Sequence, residues 1–261
     1  MHVTPFLRLA LALLLAASLP HALAQPKNSP SAYEPSVGQE GKDVVWVPTS
    51  DVLVAKMLDM AKVTPKDFVM DLGSGDGRTV IAAAKRGAKA LGIEYNPDMV
   101  ALSKQNAEAE GVSDRARFMK ADLFETDFSK ATVITMFLLP NINLQLRPKI
   151  LGLKPGTRVV SNTFSMAEWK ADETATLEPE TGCNSWCTAL LWIVPARVAG
   201  SYSLPQGELE LKQEFQMLTG TLKAEGKTFA LQGRVRGENV TFTAGNKQYR
   251  GRMNGKQLEL R

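Results

Sequence analysis

Histidine and cysteine are almost missing from this chain. Of 261 residues only two are His, His2 and His21, and two are Cys, Cys183 and Cys187. With no His or further Cys near the Cys pair, the ligand set of a tetrahedral zinc site is lacking, and no metal is expected. A basic excess is missing as well. Residues 25–200 hold 20 Lys and Arg against 21 Asp and Glu, while residues 201–261 hold 10 against 6. A surface that tracks a phosphate backbone carries clustered positive charge, so the main body gives no strong nucleic-acid signal. Past the first two dozen residues no apolar run reaches membrane-spanning length, and the mature chain is expected to have no transmembrane span.

The one long apolar run is N-terminal. His2 and Arg8 precede Leu9 to Leu19, Pro20 breaks the run, and Ala22 and Ala24 stand before Gln25. This is the layout of a secretory signal peptide over 1–24, cleaved after Ala24, with an uncleaved N-terminal anchor as the alternative, and it predicts export to the periplasm. Even from Phe6 to Leu19 a helix would reach only about 20 Å, short of the roughly 30 Å hydrocarbon core. Residues 25–43, rich in Pro, Ser, Gln and Asn, read as a flexible leader.

In an exported chain Cys183 and Cys187 can pair, but helical residues four apart hold their Cβ atoms about 5–6 Å apart, too far for a disulfide. A bridge therefore needs a non-helical turn, which Gly182 and Asn184 permit; bridge and free thiols both stay open. Closing so short a loop contributes roughly 2 kcal/mol at most.

From Val44 to residue 198 short apolar runs alternate with amphipathic stretches, the mark of βα units around a parallel sheet. Strands are predicted over 68–72, 90–94, 116–120, 132–138, 157–161 and 188–194, with 174–177 as a short partner. Helices are predicted after Thr49 and Ser50, which can cap the first, and over 79–85, 98–110 and 144–151, with Pro148 near the start of the last or kinking it. From residue 199 to 261 helical periodicity stops. Runs such as LTGTLKA, TFALQGRVR, VTFTA and QYRGRM are cut by EGK, RGEN, AGN and NGK. They predict a small antiparallel β-meander, too thin in apolar residues to stand alone.

Between the first strand and the helix after it lies DLGSGDGR, from Asp71 to Arg78. Gly73, Gly75 and Gly77 let the backbone approach a ligand closely. A dinucleotide fingerprint would need Gly where Arg78 stands, which disfavours a nicotinamide oxidoreductase. Two carboxylates, Asp71 and Asp76, are poor company for a pyrophosphate but suit the ammonium and sulfonium of S-adenosylmethionine. Glu94 ends the second strand, where an acid can take both ribose hydroxyls, and Asp122 follows the third, with Leu123 and Phe124 beside it to flank a ring. Three acids at the carboxyl ends of three strands sit where open α/β sheets bind ligands.

With VPTSDVLVAKMLDMA, DLGSGDGR, GIE and DRARFMKADLF, the chain resembles the class I S-adenosylmethionine-dependent methyltransferases, over about 46–196. It is most similar to the small enzymes that modify lysines of the ATP synthase c-subunit and the adenine nucleotide translocase. The resemblance implies a Rossmann-like α/β sheet with helices on both faces. By it Asp71, with Gly73, Ser74, Gly75 and Asp76, supports the amino-acid end of the cofactor, Glu94 the ribose and Asp122 the adenine amino group. Trp46, Pro48 and Thr49 would close over the cofactor. It also implies a protein substrate and methyl transfer to a lysine amine.

In-line displacement at a sulfonium carbon needs an aligned nucleophile more than a special catalytic group. After the fourth strand FLLPNIN lacks the motifs of base-amine and cytosine C5 methylation. Asn141 and Asn143 are candidates to orient the acceptor amine, Asp127 to accept its proton, and Trp169 to wall an acceptor channel. The alternatives are an exported cofactor-binding or partner-docking protein without turnover, and an RNA or small-molecule methyltransferase.

Overall fold

A computed structural model of the chain describes residues 1–2 and 33–261. The expected signal segment over 1–24, its first two residues apart, and the leader up to residue 32 lie outside the described residues. Within Tyr33–Arg261 there are two seven-stranded sheets.

The first sheet follows the βα pattern. Strands β1 (Phe68–Leu72), β2 (Lys89–Glu94), β3 (Ala116–Lys120), β4 (Val133–Met136) and β5 (Arg158–Asn162) pair in parallel, and β7 (Thr188–Ile193) runs antiparallel to β5 with β6 (Glu173–Thr176) at its edge. The order β3-β2-β1-β4-β5-β7-β6 reverses direction between β1 and β4, and such a switch point opens a crevice at the carboxyl ends of the strands. Alternating side chains feed both faces. Val69, Val133 and Val160 enter the core under helices α1 (Asp51–Met60), α2 (Arg78–Lys85) and α3 (Pro97–Ala109). Met70, Ile134 and Val159 enter the opposite core, with α4 (Pro140–Leu151), Trp169 and Trp192.

Local chemistry differs from expectation at three places. Ser50 precedes α1 without capping it, its hydroxyl lying instead 3.3 Å from Cys183 Sγ. Helix α4 begins at Pro140, not Leu144, because Pro140 supplies a preset φ at the first turn, and Pro148 then falls inside the helix. Residues 33–43 are not a flexible leader but the first part of a folded strap that runs on to Thr49: Gly38 N–H and Trp46 N–H bond to Trp46 and Gln39 carbonyls, both at 2.9 Å. Cys183 and Cys187 form a disulfide with Cα atoms 5.8 Å apart, on a turn that follows left-handed Gly182.

The second sheet is a meander of strands β8 (Gly200–Leu204), β9 (Gly207–Glu214), β10 (Met217–Ala224), β11 (Lys227–Arg236), β12 (Asn239–Ala244), β13 (Lys247–Asn254) and β14 (Gln257–Leu260), each paired with the next. Its buried face carries Leu209, Leu222, Val235, Phe242 and Leu258. It fastens to the first sheet beside β6 and β7. Phe215 stacks on Trp169 with centroids 6.2 Å apart, Gln216 donates to the Lys170 carbonyl at 2.7 Å, and Arg234 and Arg236 pair with Asp172 and Glu173.

Candidate active site

A cleft of about 1010 Å3, counted out to its open mouth, lies at the carboxyl ends of β1, β2 and β4 and under the strap 39–49. The loop after β1 forms its floor. Gly73 and Ser74 both donate backbone N–H to the Ile93 carbonyl, at 2.9 and 3.0 Å, which bends the chain off the sheet. Gly77, at φ +85°, starts α2 with its Cα against Phe118 and Ser103, where a Cβ would lie 2.7–2.9 Å from their carbon atoms. Gly75, at φ +53°, sits under the Trp46 indole of the strap, where a Cβ would meet Nε1 at 2.6 Å. Helix α3 holds the loop from the far side. Ser103 donates to the Gly75 carbonyl at 2.8 Å and Asn106 to the Asp76 carbonyl at 3.0 Å.

The acids of the cleft differ in what balances them. Asp76 is clamped by Arg78 through Nε at 3.0 Å and Nη2 at 2.6 Å, and Arg78 also donates to the Thr49 carbonyl at 2.9 Å, tying loop to strap. Glu94 accepts backbone N–H from Gly75 and Asn96, both at 2.9 Å. Asp122 is paired with Lys42 and accepts from Phe124 N–H, which together hold its carboxyl below the usual range, the Lys42 bond contributing most. Asp71 has no cation beside it among the described residues. Burial pushes its carboxyl up to about 7, with Asp76 and Glu94 adding to the rise and the Thr135 hydroxyl opposing it. A buried acid facing a cleft without a counter-charge is a seat for a cation. The Ser74 hydroxyl has no hydrogen-bond partner among the described residues and is packed over Gly92, where a Cβ would lie 2.5 Å from it. The floor therefore fits the ammonium end of S-adenosylmethionine.

All ten residues expected at the cofactor line this cleft: Trp46, Thr49, Asp71, Gly73, Ser74, Gly75, Asp76, Glu94, Asp122 and Leu123. Sequence reasoning missed the strap residues Gln39 to Val45, and Tyr95, Met99 and Phe137, which also line it. Tyr95 had a signal, since it directly follows Glu94; residues 39–45 had none.

The four acceptor-side candidates do not line the cleft. Trp169 is fully buried against Trp192 and Phe215, so it is a core residue, not a channel wall. Asn143 is also fully buried; its amide donates to the Phe164 and Ser165 carbonyls at 3.1 and 3.3 Å and fixes a backbone rather than an acceptor. Asn141 is exposed on the first turn of α4. Asp127 is exposed and spends a carboxylate oxygen on Ser129 N–H at 2.8 Å. Among the described residues no cluster of His, Cys, Asp and Glu could hold a metal ion, and no helix is long and apolar enough to cross a membrane.

Comparison with known proteins agrees with the geometry. The family profile described as the ANTKMT methyltransferase domain matches residues 71–173. A protein-lysine N-methyltransferase of Saccharolobus islandicus is 47% identical over 138 residues, 52% of this chain and 86% of that protein. The ATP synthase c-subunit lysine N-methyltransferase of Xenopus laevis is 38% identical over 128 residues, 49% of this chain and 56% of the frog protein, so the chain spans little more than half of that relative. Among solved structures, an RNA methyltransferase from Salinibacter ruber in complex with S-adenosyl-L-homocysteine is 44% identical with a TM-score of 0.54, covering 58% of this chain and 96% of that one.

Proposed function

The chain belongs to the class I S-adenosylmethionine-dependent methyltransferases, in the group of the ANTKMT methyltransferase domain, and on that footing we propose that it methylates the ε-amine of a lysine in a protein. What carries the lysine assignment is the likeness to the archaeal protein-lysine enzyme, which runs through nearly the whole of that relative. S-adenosylmethionine supplies, when bound, a methyl group already activated on a sulfonium. The chain's part is to bind, orient and exclude water. Asp71 and Ser74 take the amino-acid end, Glu94 takes the ribose, and Asp122 with Leu123 takes the adenine. Asp122 can do so only by sharing or releasing Lys42. Trp46 and the strap close the mouth.

A second assignment, RNA methylation, draws on the name of the Salinibacter neighbour. The near-equal numbers of acids and bases over residues 25–200 weigh against it. We also propose export, from the signal layout of residues 1–24, with residues 44–198 as the catalytic domain and 199–261 as an appended β unit. A disulfide suits an oxidising compartment.

Methyl-tritiated cofactor tests the assignment in soluble and membrane fractions from cells lacking the protein. Adding the chain back should label a protein band whose hydrolysate contains methyl-lysine. Label confined to RNA, or none at all, would sink it.

A further inference from the structure

Three aromatic rings from three separate loops meet beside the cofactor cleft. Phe137, just past β4, lines the cleft. It stacks on Phe164, past β5, with centroids 5.9 Å apart and planes at 21°. Trp186, before β7, closes the group at 6.1 Å from Phe137 and 5.3 Å from Phe164. At these separations nothing fits between the rings, and with Trp186 tilted 57° to Phe137 and 45° to Phe164 they form one contiguous aromatic cluster. The cluster reaches solvent, Trp186 being 46% exposed and Phe137 and Phe164 half-buried.

The backbone holds this arrangement at a cost. Trp186 itself has φ +56°, and Thr163, which directs Phe164, has φ +57°. Non-glycine residues in the left-handed region are uncommon and persist where the surroundings enforce them. Here the surroundings do so. The Phe164 carbonyl accepts from Ser161 at 2.7 Å and from buried Asn143 at 3.1 Å. Thr163 N–H donates to the Thr188 carbonyl at 2.7 Å. Trp186 lies inside the five-residue loop closed by Cys183–Cys187, and the buried Cys183 sulfur contacts Ser50 at the start of α1.

The geometry points to this aromatic cluster as the acceptor platform: the target lysine lies across Trp186 and Phe164 with its amine delivered over Phe137 into the cleft, and the disulfide serves to position Trp186. The proposal rests on the protein-lysine assignment above. The chemistry fits a lysine in two ways. Its alkyl stem gains from an apolar face, and positive charge, present on the sulfonium before transfer and on the alkylammonium after it, is favoured over aromatic rings. In the step itself the amine lone pair forms the N–C bond, the C–S pair returns to sulfur, and the amine proton leaves to water. Stacked rings also suit an RNA base, but the surrounding domain lacks the basic excess that RNA would require. Asn143 and the two cysteines are positioning residues for the platform.

The test uses the full mature chain and two probes. In the first, the tritium assay is run with Trp186→Ala, Trp186→Phe, and the double variant Cys183→Ser with Cys187→Ser. Trp186→Ala should raise the acceptor KM roughly tenfold, with kcat and cofactor Kd within about twofold of wild type. Trp186→Phe should recover most of the loss, and the double serine variant should move KM in the same direction. The unchanged cofactor Kd reports that each variant is folded. In the second, the Trp186 indole N–H signal, identified by its loss in Trp186→Phe, is followed while Nα-acetyl-lysine amide or Nα-acetyl-norleucine amide is added to the chain saturated with S-adenosylhomocysteine. The lysine probe should shift it and the norleucine probe much less. If wild type forms methyl-lysine but Trp186→Ala matches it in KM, or both probes act alike, the platform is wrong while the lysine assignment stands. If wild type itself labels RNA or nothing, the lysine assignment fails first, and the platform with it.

Discussion

The Thr135 hydroxyl donates to the Asp71 carboxylate at 2.6 Å, between directly paired residues of β4 and β1. That bond is the only hydrogen bond to the Asp71 side chain among the described residues, and the carboxyl otherwise faces the cleft. Cofactor binding should therefore be coupled to pH. With Asp71 raised to about 7, the free protein holds a proton there that a bound ammonium would expel. Affinity for S-adenosylmethionine should rise from pH 5.5 to pH 7.5, by up to about tenfold per unit, with protons released to buffer on calorimetry. Asp71→Asn should bind weakly with a flat profile; a wild-type profile equally flat would contradict the assignment of charge.

The same group sets a stability trend of opposite sign. The native form without cofactor binds more protons than the unfolded chain between the ordinary value of 3.8 and about 7. Stability of the cofactor-free protein should then fall as pH rises through that window, by up to about 4 kcal/mol. Thermal melts of Asp71→Asn should lack this fall and exceed wild type at pH 8.

Glu94 accepts two backbone N–H groups, one on each carboxylate oxygen. Glu94→Gln would turn an amide nitrogen toward one of them and leave a donor facing a donor. We expect cofactor affinity to drop roughly tenfold to a hundredfold, read by calorimetry, from lost charge-assisted bonds and a disturbed loop.

Gly77→Ala tests the close approach of loop and sheet. Its Cβ would lie 2.7 Å from the Phe118 ring and keep a left-handed φ. Denaturant unfolding should show a loss of about 3 kcal/mol, with cofactor affinity reduced in whatever remains folded.

Trp169→Ala separates core from channel. The side chain is fully buried between Trp192 and Phe215, so the variant should lose about 4 kcal/mol of stability. Acceptor KM at low temperature should stay near wild type; a selective rise in KM would restore the channel role.

What could be read from the sequence was whatever local rules decide. The βα order, the glycine loop and the acids at strand ends follow from periodicity and spacing, and four of the hairpin turns announce themselves as EGK, RGEN, AGN and NGK. Features set by distant contacts stayed hidden. The turn at Phe215 and Gln216 has no turn composition; Phe215 adopts φ +50° there, stacked on Trp169. The first part of the strap, 33–43, looked like a leader because its order comes from bonds to Trp46 and the pairing of Lys42 with Asp122, eighty residues away. Asn143 was expected at the acceptor for its polarity, yet its partners are the Phe164 and Ser165 carbonyls, a relation only the folded chain creates.

The space over Gly75 that a side chain would need is filled by the Trp46 indole. Twenty-nine positions apart, the two act as a lock and its ward. Enlarging residue 75 alone jams the strap open, whereas trimming residue 46 alone leaves a gap above the loop. Because Gly75 also holds a left-handed φ, a side chain there is strained even where residue 46 shrinks, so the lid is shaped to the floor and not the floor to the lid.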